Sequence, residues 1–202
     1  ARDEAFCFYY KDNLAFLEKA GCGLVQFSPL RDRSLPDDIQ GLILGGGYPE
    51  LYTEQLEKNA SMRSSVKHAL ADGLPCLAEC GGFLYLHEEM EDDKGTARRM
   101  AVVIPGKAVR TKRLVRFGYI ELEAMKAGLY LDKGEKIRGH EFHYWDSTDK
   151  GTDCLAVKTD RKRKWECIHM EGSLFAGFPH IHFYSNQAFA GRFIEECRKR
   201  RP

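Results

Sequence analysis

Residues 74–86 read LPCLAECGGFLYL and predict a strand, a tight turn and a helix, with Cys80 at the turn. The apolar residues before Glu79 have the length of a short strand, and the two glycines after Cys80 let the backbone bend sharply. Such a nucleophile elbow holds its central side chain clear of the sheet. The positive end of the helix then favours the thiolate of Cys80, which is the nucleophilic form. A small core cysteine buried beside a turn is the alternative.

The chain before this turn alternates between short apolar runs and segments of helical spacing. The predicted elements are a helix capped by Asp12 or Asn13 and ended by Gly21, strands over 23–27 and 41–44, and a helix over 59–71. Strands that alternate with helices through short links form a parallel sheet covered on both faces. The first half of the chain therefore predicts an α/β fold with a mostly parallel sheet.

Three consecutive glycines, Gly45 to Gly47, follow the second of these strands. Functional groups in such folds gather at the carboxyl ends of the parallel strands, so we expect this loop to adjoin Cys80. Backbone N–H groups of Gly46 and Gly47, together with that of Gly81, could hold a developing oxyanion. The sequence lacks the Lys-Ser/Thr pair of a P-loop and the spacing of a dinucleotide fingerprint, which argues against a phosphate cradle. An ordinary turn is the other interpretation.

The character of the sequence changes after Glu91, where short runs of alternating polarity predict mostly antiparallel strands. These predicted strands cover residues 117–122, 137–145, 154–158 and 165–170. The last predicted element is a helix over 184–200. The second half is therefore predicted to be rich in antiparallel strands.

A cysteine nucleophile needs a base, and the best candidates among the histidines are His180 and His182. In a strand they point to the same side, so one could pair with Cys80 while the other orients it. A structural role for either histidine is the alternative. His68 and His87 lie in stretches that we expect to be helical and exposed.

Residues 139–144, Gly-His-Glu-Phe-His-Tyr, look like a metal-binding motif at first sight. His140 and His143, however, fall on opposite faces of a predicted strand, so no metal site is expected. Glu141 and His143 share a face and could line a substrate pocket.

Composition narrows the possible classes of protein. The 202 residues carry 31 basic and 30 acidic side chains, a net charge of +1, which argues against a general nucleic-acid surface. No apolar run reaches the roughly 18 residues that span a bilayer, and the charged opening over residues 1–4 is unlike a signal peptide. Seven cysteines without a C-x-x-C pair are typical of a reducing cytoplasm. We therefore expect a cytoplasmic protein without nucleic-acid or membrane partners.

Six segments in order resemble the glutaminase domains in the cobyric-acid-synthase-like branch of class I (triad) glutamine amidotransferases, among them those of cobyrinic acid a,c-diamide synthases. The matching segments are residues 1–10, 27–32, 45–51, 78–82, 139–144 and 180–183. Any one of them is a weak signal, but six in the same order are strong.

The resemblance implies a flavodoxin-like three-layer sandwich that hydrolyses glutamine and passes ammonia onward. It implies that Cys80 is the nucleophile and His180 the activating histidine. His182 occupies the position where other triad amidotransferases carry a glutamate. The third triad member is therefore open: His182, another carboxylate of this chain, or a residue of a partner domain.

The resemblance also implies a larger enzyme of which residues 1–202 are the glutaminase domain, and the abrupt start of the sequence agrees with that expectation. An N-terminal amidating domain would bind Mg-ATP and amidate the a and c carboxylates of cobyrinic acid in cobalamin biosynthesis. No cofactor is expected in the glutaminase domain, and a homodimer could form through the full-length enzyme. The alternatives are a glutaminase that serves another acceptor, a cysteine peptidase, and a catalytically degenerate interaction module.

Overall fold

The computed structural model describes residues 1–160 and 162–200, over which helices and strands alternate in the first half and strands dominate the second. The helices are α1 (Lys11–Lys19), α2 (Thr53–Lys58), α3 (Ala60–Ala71), α4 (Gly81–Tyr85) and α5 (Gln187–Lys199). The strands are β1 (Leu42–Leu44), β2 (Cys76–Glu79), β3 (His87–Glu91), β4 (Ala97–Arg99), β5 (Ile104–Arg110), β6 (Arg116–Ala124), β7 (Lys136–His143), β8 (Trp145–Ser147), β9 (Cys154–Lys158), β10 (Lys164–Cys167), β11 (His169–Glu171), β12 (Leu174–Gly177) and β13 (His180–Ile181). None of the helices in these described ranges is long and apolar enough to cross a membrane.

The sheet that carries the Cys80 turn has the strand order β1-β2-β12-β11. Its first three strands are parallel, with Ile43 and Phe175 both in register with Leu77, and β11 is antiparallel. The crossover from β1 to β2 contains α2 and α3, as the alternation of the sequence predicts. The parallel part of the sheet is therefore confirmed.

Side chains of the parallel strands alternate between two hydrophobic cores, one on each face of this sheet. Ala78 of β2 packs in one core with Val66 of α3 and Phe83 of α4. Leu77, its neighbour, packs in the other core with residues of α1 and α5. Helices thus cover both faces, which confirms the predicted three-layer α/β architecture.

The second half forms a five-stranded antiparallel sheet of order β10-β9-β6-β7-β13. The predicted strand over 154–158 has the observed bounds, while the predicted strand over 165–170 is divided between β10 and β11 at Ile168. Ile168 has a φ of 71°, which interrupts an extended strand. The short strand β13 pairs with β7, His180 opposite His140, and so fixes the chain just before α5.

Three local predictions are wrong or differ from the structure. Residues 23–27 form no strand, and Val25 is exposed. Helix α1 follows Tyr10 without a side-chain cap, since Asn13 is buried and bonds to the backbone of residues 181 and 183 instead. His87 is not a helical surface residue; it begins β3, is fully buried, and bonds to Ser147.

Candidate active site

Cys80 occupies a strained turn between β2 and α4. Its φ of 48° and ψ of −105° are rare for a residue with a side chain and are typical of a nucleophile elbow. Its N–H donates to the Gly177 carbonyl, 2.8 Å away, which anchors the turn to β12. The residue keeps 7% of its surface exposed, and the sulfur lies 3.9 Å from the Phe142 carbonyl oxygen.

His180 lies beside this sulfur, although 100 residues of sequence separate the two. Strand β13 positions the histidine, and the interaction of its ring with Cys80 raises the pKa of His180. Gly46 makes room for the ring, because a Cβ at that position would collide with Cε1 of His180. Phe8 packs edge-on against the other side of the ring, with centroids 4.6 Å apart. The predicted pair of Cys80 and His180 is therefore brought together.

Glu79 supplies a carboxylate to the same histidine. Its Oε2 lies 3.7 Å from Nδ1 of His180, while its Oε1 accepts a 3.0 Å hydrogen bond from the backbone N–H of Ile181. Burial by itself lowers the pKa of His180, but the interactions of its ring with Cys80 and with the Glu79 carboxylate outweigh burial and raise the pKa to about 10. Sequence reasoning named Glu79 only as part of the elbow and missed its position against His180.

His182 lies just after β13, and its ring contacts Tyr10 and Tyr184. The ring lies 5.9 Å from those of Tyr10 and Tyr184, measured between centroids. Tyr10 in turn packs against Phe8, the residue beside His180. His182 therefore belongs to an aromatic row next to the site, and Glu79 takes the position against Nδ1 of His180 that the third triad member would occupy.

The glycine loop and the start of α4 adjoin each other. A Cβ on Gly81 would lie 3.1 Å from the backbone nitrogen of Gly47, so the two main chains pass in close contact. The amides of a first helical turn have no partner within their helix, which leaves the Gly81 N–H available. Gly82 ties the two segments together by donating to the Gly45 carbonyl at 2.9 Å. The arrangement is compatible with an oxyanion hole at Gly47 and Gly81, whereas Gly46 lies under the His180 ring.

Glu141 and His143 lie on one face of β7, as predicted, but the structure buries both. Their side chains are 2% and 4% exposed, and Oε2 and Nε2 are 3.6 Å apart. The His143 ring stacks on Phe178 at a centroid distance of 3.7 Å. Phe142, between them, carries the carbonyl beside the Cys80 sulfur, and a role of Glu141 and His143 in lining a substrate pocket stays a prediction.

His140 lies on the opposite face of β7 from His143, as the strand period requires. Its ring contacts Phe117 and Tyr119. Burial, followed by the charge on His180, lowers the pKa of His140. Over residues 1–160 and 162–200, no three His, Cys, Asp or Glu side chains cluster as a metal site would require.

The sequence was compared with models of known protein families. A model of the CobB/CobQ-like glutamine amidotransferase domain matches residues 1–188. The chain belongs to this family. Every site residue from Glu79 to His182 lies within the matched range.

Curated relatives of this amidotransferase domain include three cobyrinate a,c-diamide synthases. The protein of Caldanaerobacter subterraneus subsp. tengcongensis is 40% identical over 199 residues, and the match covers 98% of this chain and 44% of the relative. The Salmonella typhimurium protein is 43% identical over 98% of this chain and 44% of its own length. The Clostridium tetani protein is 42% identical, with 97% and 45% covered. The chain thus spans less than half the length of these relatives.

Solved structures share the fold of this domain. A glutamine amidotransferase structure superposes with a TM-score of 0.63 at 17% identity and covers 93% of both chains. A chain of the PurLQS structure from Thermotoga maritima gives a TM-score of 0.54 at 17% identity, with 84% of this chain and 82% of that chain covered. The flavodoxin-like α/β class expected from the sequence is confirmed by these neighbours.

Proposed function

We propose that this chain hydrolyses glutamine to glutamate and ammonia through a thioester on Cys80. The observation that carries the proposal is the juxtaposition at the elbow: a strained cysteine faces His180, whose Nδ1 faces the Glu79 carboxylate. A nucleophile, a base and an orienting group in this order are the general arrangement for acyl transfer. Membership of the glutamine amidotransferase family identifies the acyl group as the side-chain amide of glutamine.

In the first half-reaction the Cys80 sulfur, as thiolate, attacks the amide carbon of glutamine. The carbonyl electrons move onto oxygen, and the N–H groups of Gly47 and Gly81 stabilise that oxyanion. When the oxyanion collapses, the C–N bond breaks and protonated His180 gives its proton to the departing nitrogen. Ammonia and a thioester are the products. A His180 with a pKa of about 10 holds this proton at neutral pH.

In the second half-reaction the now neutral His180 removes a proton from water as the water oxygen attacks the thioester carbon. The same two amides hold the second oxyanion. Its collapse breaks the C–S bond, which releases glutamate and restores the Cys80 thiolate beside protonated His180. The Glu79 carboxylate faces Nδ1 and orients the ring in both steps.

The ammonia acceptor is proposed from the relatives. All three named relatives are cobyrinate a,c-diamide synthases, so the a and c carboxylates of cobyrinic acid are the proposed acceptors, in cobalamin biosynthesis. The remaining length of those relatives would hold the Mg-ATP-dependent amidating domain as the partner of this one. The test is to supply this chain, joined to such a domain, with glutamine, Mg-ATP and cobyrinic acid. Two successive conversions of carboxylate to amide are expected. Recovery of cobyrinic acid without any new amide would exclude it as the acceptor.

The nucleophile assignment is tested by Cys80→Ala. The variant should lose glutaminase activity by a factor of about 10⁴ or more, because the thioester cannot form. An electrophilic analogue of glutamine should label Cys80 in the wild-type chain, located by peptide mass spectrometry. Cys7→Ser is the control, since Cys7 is an exposed free thiol. Labelling of Cys7 in preference to Cys80 would contradict the proposal.

The two histidines are separated by His180→Ala and His182→Ala. His180→Ala should lower kcat by about 10²–10⁴, the usual range for loss of an acid-base group. His182→Ala removes ring contacts with two tyrosines and should change kcat by less than about tenfold. Equal losses in the two variants would mean that the aromatic row takes part in the chemistry.

A further inference from the structure

A backbone carbonyl of β7, that of Phe142, faces the Cys80 sulfur at a distance of 3.9 Å. The pairing of β7 with β13 explains its direction. The His182 N–H donates to the Arg138 carbonyl at 3.0 Å, and successive residues of a strand point their backbone groups to opposite sides. The backbone groups of Phe142, four residues after Arg138, therefore point to the same side of β7 as β13.

Strand β13 stops short of Phe142. Its first residue, His180, is opposite His140, so the next rung of the ladder would join Phe142 to Phe178. Phe178, however, lies in the link between β12 and β13. The Cys80 turn is tied to the start of this link, because its N–H donates to the Gly177 carbonyl at 2.8 Å. The Phe142 oxygen therefore faces the sulfur instead of another strand.

A thiolate cannot satisfy this oxygen, because it has no hydrogen to donate, but a carboxamide has two N–H groups. In the proposed reaction the N–H groups of Gly47 and Gly81 hold the amide oxygen, which leaves the amide nitrogen with its hydrogens to place. That nitrogen is one bond away from the carbon that the sulfur attacks. An N–H···O bond spans about 2.9 Å between its heavy atoms, so an oxygen 3.9 Å from the sulfur is within its reach.

The residues on either side of Phe142 are anchored in the interior. Glu141 and His143 are buried, and Nδ1 of His143 lies 2.7 Å from the Trp145 carbonyl oxygen. A carbonyl can only accept, so Nδ1 carries a hydrogen. Oε2 of Glu141 and Nε2 of His143 face each other at 3.6 Å and have no hydrogen-bond partner within residues 1–160 and 162–200. One hydrogen between these two atoms would supply the contact that both lack.

The anchoring of His143 fixes the direction of the Phe142 oxygen, since one planar peptide group carries that oxygen and the His143 nitrogen. The His143 ring stacks on Phe178 with centroids 3.7 Å apart. Phe178 follows Gly177, the residue whose carbonyl accepts from the Cys80 N–H. Adjacent residues of one segment therefore hold the sulfur and the oxygen, and this sets the distance between them.

We propose that the Phe142 carbonyl accepts an N–H of the glutamine carboxamide, and that Glu141 and His143 are positioning residues that aim this carbonyl. The inference rests on the proposed glutaminase reaction and names the group that selects an amide. In the tetrahedral intermediate, the bond from one N–H to this oxygen turns the nitrogen lone pair toward the proton of His180. The C–N bond then breaks, and ammonia leaves with two hydrogens from the amide and one from His180.

The same carbonyl discriminates against the product. The carboxylate of glutamate has no hydrogen to donate, and its oxygens are repelled by the carbonyl oxygen. A site that holds the amide and repels the carboxylate favours release of glutamate after each turnover.

The test compares glutamine with the γ-methyl ester of glutamate, which forms the same thioester but has no N–H at the reacting group. His143→Phe keeps a ring to stack on Phe178 and removes the polar contacts with Glu141 and the Trp145 carbonyl. It should lower kcat/KM for glutamine by about 10–100-fold and that for the ester by less than about threefold. Loss of structure alone would lower both values together.

Two further variants accompany this comparison. Glu141→Gln keeps the shape of the side chain and an acceptor for the Trp165 N–H, and should weaken activity toward glutamine selectively, as His143→Phe does. It decides by the same comparison if His143→Phe does not fold. Glu123→Gln is the control, because it removes a carboxylate of β6 that pairs with Lys136 at the surface, and it should leave both substrates unaffected.

Binding gives a measurement without turnover. In a Cys80→Ala chain, calorimetry should give a dissociation constant for glutamine about 3–10-fold lower than that for the ester, the usual effect of one neutral hydrogen bond. His143→Phe in the same background should abolish the difference.

Equal losses for glutamine and the ester in His143→Phe, or no loss for glutamine, would overturn the proposal. Equal dissociation constants in the Cys80→Ala chain, or no binding of glutamine, would overturn it as well. Failure of the proposed function gives a different result. A wild-type chain that hydrolyses neither substrate, while Cys80→Ala still prefers glutamine to the ester, would remove the glutaminase activity and leave the carbonyl as the group that binds the amide.

Discussion

At the scale of single residues, Glu79 and Cys80 are neighbours with separate positions in the site. The side chain of Glu79 leaves β2 on the face opposite to Ala78, toward β13, and meets Nδ1 of His180. Cys80, at the turn that follows, interacts with the same ring. Two adjacent residues can thus hold one imidazole between a carboxylate and a thiol.

Glu79→Gln tests this assignment. The amide keeps the shape and can still accept from the Ile181 N–H, but it removes the negative charge facing His180. Since that charge helps to raise the pKa of His180, its loss lowers the pKa. We expect kcat/KM for glutamine to fall by about 10–1,000-fold and the alkaline limb of the pH profile, which requires protonated His180, to move to lower pH.

Two further variants complete this experiment. Glu79→Asp retains the charge and should restore part of the profile, whereas Glu18→Gln removes an exposed carboxylate from α1 and should change nothing. A Glu79→Gln enzyme with reduced activity but an unshifted alkaline limb would show that the residue acts on structure alone.

At the scale of elements, the position of His180 depends on how α1 holds β13. Asn13 of α1 is buried, donates to the Ile181 carbonyl at 2.6 Å and accepts from the Phe183 N–H at 3.0 Å. One side chain therefore satisfies two backbone groups on either side of His182. A two-residue strand has little pairing of its own, so this clamp supplies much of its order.

Asn13→Ala should reduce the free energy of unfolding by about 2–4 kcal/mol, because it leaves a buried carbonyl and a buried N–H without partners. Urea unfolding at neutral pH measures the loss. Asp12→Ala, an exposed change in the same helical turn, should cost less than about 0.5 kcal/mol. Equal losses in the two variants would show that the clamp contributes no more than helix propensity does.

At the scale of the whole molecule, the stability of the protein depends on pH through groups that folding buries. Glu50 lies in the turn after the glycine loop, and its burial raises the pKa of that carboxyl to about 7. The folded protein therefore binds a proton that the unfolded chain has already released above pH 4.5. Its contribution to stability is fully present below about pH 4.5 and is lost as the pH rises through about 7.

Glu50→Gln removes this dependence. Relative to the wild type, the variant should gain about 2–3 kcal/mol between pH 4.5 and pH 8, because a neutral amide has no proton to lose. Urea unfolding at several pH values measures the difference in slope. Glu54→Gln, on the exposed face of α2, is the control and should follow the wild-type slope. Parallel curves for Glu50→Gln and the wild type would contradict the burial argument.

The sequence predicted the elements that depend on neighbouring residues. The strand, turn and helix around Cys80 follow from a short apolar run and two glycines, and they are present as β2 and α4. Alternating polarity, which is also a pattern of neighbouring residues, predicted β6, β7 and β9. The prediction failed for His87, which was expected on the surface of a helix but begins the buried strand β3. Its ring nitrogens bond to Ser147 and to the Phe83 carbonyl, which belong to other elements.

The tertiary structure alone decided which distant groups meet. Nothing in the spacing of 79, 80 and 180 shows that a two-residue strand will bring an imidazole between a neighbouring thiol and carboxylate, because that contact depends on the pairing of β13 with β7 and the clamp of Asn13. Burial of His143 and Glu141 likewise depends on residues outside their strand, since Phe178 stacks on His143 and Trp165 donates to Glu141. Residues 23–27 have the sequence of a strand, but a strand forms only where a neighbour supplies hydrogen bonds. Propensity acts within a few residues, whereas the site forms from contacts across the whole chain, and only the packed fold contains those contacts.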